Sequence, residues 1–184
     1  MKGGFLMKKV GIILLILLAF FTIKGVKAEE VMIPEEAIRF RVVPNSNYPQ
    51  DQWIKSKVRD NVQVKIYELM KNVKSIGEAR TIMKENLPEF EMIVDDTLKE
   101  NKMEETFQIK FGQNYFPKKV FKGVTYEEGY YESIVITLGK GEGDNWWCVL
   151  FPPLCLLEAE ETQEQDEVQY KSFVKELIDQ FFKN

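Results

Sequence analysis

Hydrophobic and polar positions change rhythm three times along this chain. Between Ala37 and Val42 the period is two, with Ile38, Phe40 and Val42 alternating with Arg39 and Arg41, which predicts a strand with one buried face and the arginines on the other. Pro44-Asn45-Ser46-Asn47 interrupts it, and Pro49 with Asp51 suits the first turn of a helix, where a missing N–H is no loss and a carboxylate meets the positive end of the dipole. From there the spacing becomes three and four: Ile54, Val58, Val62, Ile66, Leu69 and Val73 form one apolar stripe of a long helix. Ser75 and Glu78 make a capping box that opens a second helix, with Ile76, Ala79, Ile82, Met83 and Leu87 as its stripe. Pro88 kinks that helix or starts a third, and Phe90, Ile93, Val94, Thr97 and Leu98 extend the pattern to Asn101, read as a left-handed stop. Period two then returns at Phe107, Ile109 and Phe111 and again at Ile134, Ile136 and Leu138, with strand material at 115–121 and 124–131 broken by Pro117, Gly123 and Gly129.

The order strand, helices, strands predicts an α+β fold: a two-layer sandwich with helices on one face of a mostly antiparallel sheet. Ahead of it, Lys2, Lys8 and Lys9 precede an apolar stretch from Val10 to Ile23, followed by Val26 and Ala28 at the small-residue positions of a cleavage site. Charged, apolar and cleavable segments in that order predict a secretory signal peptide over 1–28, cut after Ala28 or, if uncut, serving as a transient membrane tether. That stretch of fourteen residues falls short of the roughly 20 that span a bilayer. The exported α+β domain then occupies 29–157. Residues 158–167 are an acidic linker unable to bury apolar surface. In 168–184, Tyr170, Phe173, Val174, Leu177, Ile178, Phe181 and Phe182 share one helical face, predicting an amphipathic helix that folds back on the domain or docks on a partner or membrane.

Charge narrows the partners. The chain has 25 basic and 29 acidic residues, and five of its lysines (Lys2, Lys8, Lys9, Lys24 and Lys27) lie in the first 28 positions; the remainder has 20 basic against 29 acidic residues, a formal charge of −9. Nucleic acid is a poor partner for such a surface, because binding it depends on clustered cations displacing counterions from phosphates.

Chemistry-bearing residues are few. Without a single histidine the chain lacks the commonest general base and metal ligand. Asp95-Asp96-Thr97 has no following glycine and lies within a helical pattern, so it reads as a solvated helix face rather than an aspartic-protease loop. Gly139-Lys140-Gly141-Glu142-Gly143-Asp144 carries two acids and opens no helix, so it reads as a turn and not a phosphate cradle. These residues predict no catalytic site, no cofactor, no metal and no small-molecule substrate. Asn145-Trp146-Trp147-Cys148-Val149-Leu150-Phe151-Pro152-Pro153-Leu154-Cys155 is the most unusual segment. Export would let Cys148 and Cys155 persist as a disulfide, worth about 2–3 kcal/mol if the Pro-Pro bend brings them together; two free thiols are the alternative. The tryptophans, phenylalanine and prolines suit core packing and an exposed recognition patch equally well.

Ile38-Arg39-Phe40-Arg41-Val42, Asn45-Ser46, Gln52, Lys57-Val58-Arg59-Asp60, Glu85-Asn86-Leu87-Pro88, Tyr115-Phe116-Pro117 and the segment 145–155 together resemble the stage II sporulation protein R family from about residue 37 to 157. The resemblance implies a signalling protein of endospore formation, made in the forespore and secreted into the space between forespore and mother cell. There it would activate a membrane-bound aspartic protease, the stage II sporulation protein GA, through its extracytoplasmic face, leading to processing of pro-sigma factor E. Partner contact is expected from Asn145, Trp146, Trp147, Phe151, Pro152 and Pro153, and from Asn45 and Ser46. A cell-envelope binding or structural module without a protease partner is the alternative.

Overall fold

The computed structural model describes residues 31–32, 36–121, 124–155 and 167–182; the expected leader over 1–28 and residues 158–166 of the expected linker lie outside them. Seven strands and four helices follow in the order β1 (Val31–Met32), β2 (Ile38–Val43), α1 (Pro49–Met70), α2 (Ile76–Glu85), α3 (Leu87–Glu100), β3 (Phe107–Phe116), β4 (Lys119–Phe121), β5 (Val124–Tyr126), β6 (Gly129–Leu138), β7 (Trp146–Phe151) and α4 (Glu167–Phe182). The fold is α+β. Its main sheet has the order β3-β6-β2-β7. The outer pairs are antiparallel, and β2 and β6 run parallel, Arg41 opposite Val135. That parallel step follows from the chain leaving β2 for three helices and an edge strand before it returns.

Local chemistry explains the helix boundaries. Pro49 occupies the first turn of α1. Ser75 Oγ accepts the Glu78 N–H at 3.2 Å, while the Glu78 carboxylate accepts the Lys74 N–H at 3.2 Å, one residue before the expected cap. Pro88 begins α3 rather than kinking α2, with Asn86 shared between the two helices. The left-handed stop lies one residue beyond the expected Asn101: Lys102 has φ 57°, and Asn101 instead donates its side-chain N–H to the Thr97 carbonyl at 2.7 Å. Asp95 pairs with Lys99 on the surface of α3, and Thr97 is buried against Asn61 of α1 at 2.9 Å, so the acidic triplet is helix face.

The stripe Ile54, Val58, Val62, Ile66 and Met70 of α1 is buried against Ile38, Phe40 and Val42 of β2 and Ile134, Ile136 and Leu138 of β6. Each such side chain contributes about 1.5–3 kcal/mol by leaving water. Here the two-layer expectation needs correction. The opposite face of the sheet is half covered by a second core, in which Phe116, Val124, Tyr126, Tyr131, Trp147, Val149 and Leu154 pack with Val174 of α4; a small sheet of order β1-β5-β4 supplies part of it. Consequently Arg39, expected on a solvent face, is completely buried. Its guanidinium carbon stands 3.4 Å from the Tyr131 ring centroid, 4.9 Å from Trp147 and 5.0 Å from Phe116. Burial pushes its pKa down to about 10, since the charge gives up water and its nitrogens find no hydrogen-bond acceptor among the described residues. The ring faces offset part of that cost.

Arg39→Ala is expected to lower stability by about 3 kcal/mol or more in denaturant unfolding, because it empties the aromatic box. Arg39→Met keeps the stem's packing without the charge and should lose markedly less. A Met variant as unstable as the Ala variant would show that the charge, not the packing, holds the box together.

Candidate functional site

Residues expected to meet a partner fall at opposite ends of the main sheet. β7 runs antiparallel to β2, so Trp146 lies opposite Val42 and Phe151 opposite Ile38. Asn45, Ser46 and Asn145 therefore gather where β2 and β6 end, and Phe151, Pro152 and Pro153 where β2 begins.

At the first end two loops clasp. Ser46 Oγ donates to Asp51 Oδ2 at 2.6 Å and Asn45 Nδ2 donates to the same oxygen at 3.0 Å. Across the gap, Asn45 Oδ1 accepts the Lys140 N–H at 3.0 Å and Asn47 Oδ1 accepts the Asp144 N–H at 2.6 Å. The glycines of the 139–144 turn let the backbones approach: a Cβ on Gly143 would lie 2.2 Å from the Ser46 carbonyl oxygen, and one on Gly139, at φ 53°, would lie 2.4 Å from Asn45 Oδ1. That glycine run is a turn, as its sequence predicts, and Asn45 and Ser46 have internal partners.

Asp51 and Glu105 form a carboxyl pair beside this clasp. The Ser46 hydroxyl bond, ahead of the others, holds Asp51 below its ordinary value; burial and then the Asp51 charge raise Glu105. The two shifts run in opposite directions, Asp51 favouring the charged form and Glu105 the neutral one.

The aromatic segment is architecture over most of its length. Trp147 is 8% exposed and Phe151 2%. Trp147 stands edge-on to Phe116 and Tyr126 at 5.4 and 5.3 Å within the second core. Phe151 faces the helix side and meets Phe181 and Phe182 of α4 at 4.9 and 6.2 Å. Trp146 is half-buried, edge-on to Phe40 with Arg59 over its ring at 5.2 Å. Pro152 is buried and Pro153 partly so. Successive residues of a strand point to opposite faces, and of the three residues expected in a contact patch Trp147 and Phe151 are in the core while Trp146 is half-buried. The cysteines close this hairpin as a Cys148–Cys155 disulfide with Cα atoms 5.4 Å apart, and Gln63 of α1 donates to the Cys155 carbonyl at 2.9 Å.

What the periodicity does not reveal is Arg41. Read as a solvent-side partner of Phe40, it lies half-buried over the Phe116 ring at 4.0 Å and donates to the Tyr115 carbonyl. It lines an open groove of about 430 Å³ with Val43, Asn114, Val135, Thr137 and Asn145. Its alternation with apolar neighbours was a visible signal, but nothing in the alternation says that the face beyond is only half covered.

Replacing both cysteines by Ala should lower unfolding free energy by about 2–3 kcal/mol, the entropy released when so short a loop opens in the unfolded chain; equal midpoints for the oxidised parent and the double variant would refute this. The carboxyl pair gives a pH dependence. A raised acid stabilises the fold below its ordinary value, 4.5 for Glu105, and loses that contribution as pH rises through the folded value. Asp51 runs the other way, its contribution present above 3.8 and lost as pH falls through its lower folded value. Glu105→Gln should therefore raise the melting temperature at neutral pH, with the gain disappearing below the carboxylate range. Asp51→Asn should lower it at neutral pH.

Comparison with known proteins agrees with the sequence resemblance. The family model described as Stage II sporulation protein R matches residues 34–161. A curated relative, Stage II sporulation protein R of Bacillus subtilis (strain 168), is 41% identical over 156 residues, covering 82% of this chain and 70% of the relative. No solved structure matches. With the matched region running from the lead-in to β2 past the disulfide hairpin, this chain belongs to the stage II sporulation protein R family.

Proposed function

We propose that this protein is the secreted signal of endospore formation, acting by contact on the extracytoplasmic face of the membrane-bound aspartic protease, stage II sporulation protein GA. Binding shifts that protease towards its active arrangement, and pro-sigma factor E is processed in the mother cell. Family membership over residues 34–161 is the observation that carries this reading. The sequence adds an export-type N-terminus, and the chain has no histidine for acid–base or metal chemistry. The described acids best placed for chemistry have structural partners: Asp51 is held by Ser46 and Asn45, and Glu132 by Arg80 at 2.7 Å.

A contact signal can move a protease between states only by binding one of them more tightly; a tenfold preference corresponds to about 1.4 kcal/mol. A few well-placed side chains on a rigid domain suffice for that.

Co-expression of the chain with the protease and the sigma precursor in a non-sporulating host tests the reading. Processing is expected with the full chain and not with a chain lacking residues 1–28. Processing without the chain, or undiminished processing with the leaderless chain, would overturn it.

A further inference from the structure

The half of the main sheet left uncovered by the second core has a distinct chemical character. On this face β2 presents Arg41 and Val43, β6 presents Val135 and Thr137, and the partner positions on β3 are Gln108 opposite Thr137 and Lys110 opposite Val135. Directly opposed residues point to the same side of a sheet, so Arg41 and Lys110 flank Val135 from its two neighbouring strands. None of these positions is acidic, and no acid lines the groove, in a chain with 29 acidic residues. The loop acids Glu142 and Asp144 alternate with the lining residues Gly141, Gly143 and Asn145 but do not themselves line the groove, and both are exposed; the turn is tied to α1, where Lys55 Nζ donates to the Asp144 carbonyl at 3.0 Å.

Arg41 is also incompletely used. One terminal nitrogen donates to the Tyr115 carbonyl, while Nε is buried without an acceptor among the described residues, and no described carboxylate pairs with Arg41 or Lys110. Burial lowers the Arg41 pKa, as expected for a guanidinium partly stripped of water with no anion to compensate. A planar guanidinium held by a ring and one carbonyl is preorganised to receive a carboxylate. The floor beside it, Val43, Val135 and the Thr137 methyl, suits alternate apolar side chains.

We propose that this groove is the docking site for an extended, carboxylate-bearing segment of a protein partner, with Arg41 as the anchoring cation and Lys110 as the second. The groove lies where the parallel strands β2 and β6 end, bounded by the clasped loops, so the clasp sets the width of its mouth. Taking the partner to be the protease rests on the function proposed above; the carboxylate chemistry does not.

The test uses the full chain in detergent micelles and a fluorescein-labelled strand-forming peptide alternating Val and Glu, with its Gln and Lys counterparts, followed by anisotropy. The Glu peptide should bind about tenfold more tightly than the Gln peptide, the scale of one charge-assisted hydrogen bond. Arg41→Gln and Lys110→Glu should each erase that preference, and Lys99→Glu, on the far surface of α3, should leave it intact. Lys110 is exposed, so its variant reports on binding even if Arg41→Gln fails to fold. Equal affinity for Glu and Gln peptides, or a preference unchanged in Lys110→Glu, would overturn the proposal. So would a tenfold gain in Glu-peptide affinity on changing Glu158, Glu160, Glu161 and Glu164 to Gln, which would make this chain's own acidic stretch the occupant. In the co-expression assay, loss of sigma processing in Lys110→Glu supports the protease as partner. Full processing with peptide preference lost overturns the protease as occupant and leaves the groove's chemistry standing.

Discussion

Everything in this fold depends on the first half of β2 being buried on both faces. It pairs with β6 on one side and β7 on the other, joins the apolar side of α1 to the main core through Ile38, Phe40 and Val42, and faces a second core through Arg39. A strand so placed normally reads as a continuous apolar run. Here a guanidinium substitutes for an apolar side chain, stacked among Tyr131, Trp147 and Phe116. Its charge resists burial and its flat face accepts it; the rings of three strands, β3, β6 and β7, are drawn to one point as a result. The disulfide hairpin, the end of β3 and the start of β6 are all positioned by that box.

A second constraint fixes the other end of the sheet. Parallel strands cannot be joined by a tight turn, so the loops leaving β2 and β6 emerge side by side and must satisfy their own backbone groups. Asn45 and Asn47 do so by accepting N–H groups from the opposite loop, and Gly143 permits the approach that any Cβ would block. Asp51 anchors the arrangement to the first turn of α1, where the helix dipole favours a carboxylate. Asn45 and Ser46 thus matter to the groove by holding its rim.

Much of this was legible in the residues, for physical reasons that differ by element. The stripe from Ile54 to Ile66 announced α1 because one face of a helix meets a core and the other meets water. Pro88 marked a helix boundary because its missing N–H is harmless only in a first turn. Two cysteines flanking a Pro-Pro bend left a disulfide and two free thiols both open, and the structure has the disulfide. By contrast, Arg39 and Arg41 look identical to a period-two pattern, yet one is sealed and the other borders a groove. The difference arises from where β5 and α4 come to rest, and contacts that distant in sequence leave no local periodic mark. The aromatic hairpin misled in the opposite direction: interface hot spots and cores select the same large rings, so composition alone does not separate them.

Charge distribution bears on how such a domain would choose a partner. With acids in excess overall, approach to another acidic surface is unfavourable in most orientations, and the sheet face holding Arg41 and Lys110 is one that reverses the sign. Repulsion elsewhere then acts as selection, since wrong encounters are weakened without any cost to the correct one. Screening limits this to about 8 Å at physiological salt, so the discrimination operates at contact rather than at a distance. The partly buried Arg41 is screened less than a surface lysine, and it is therefore the residue through which binding would depend least on ionic strength. A contact signal of the kind proposed has little need of long-range steering; it needs one orientation to be better than the rest, and a cationic groove on an acidic body supplies that difference.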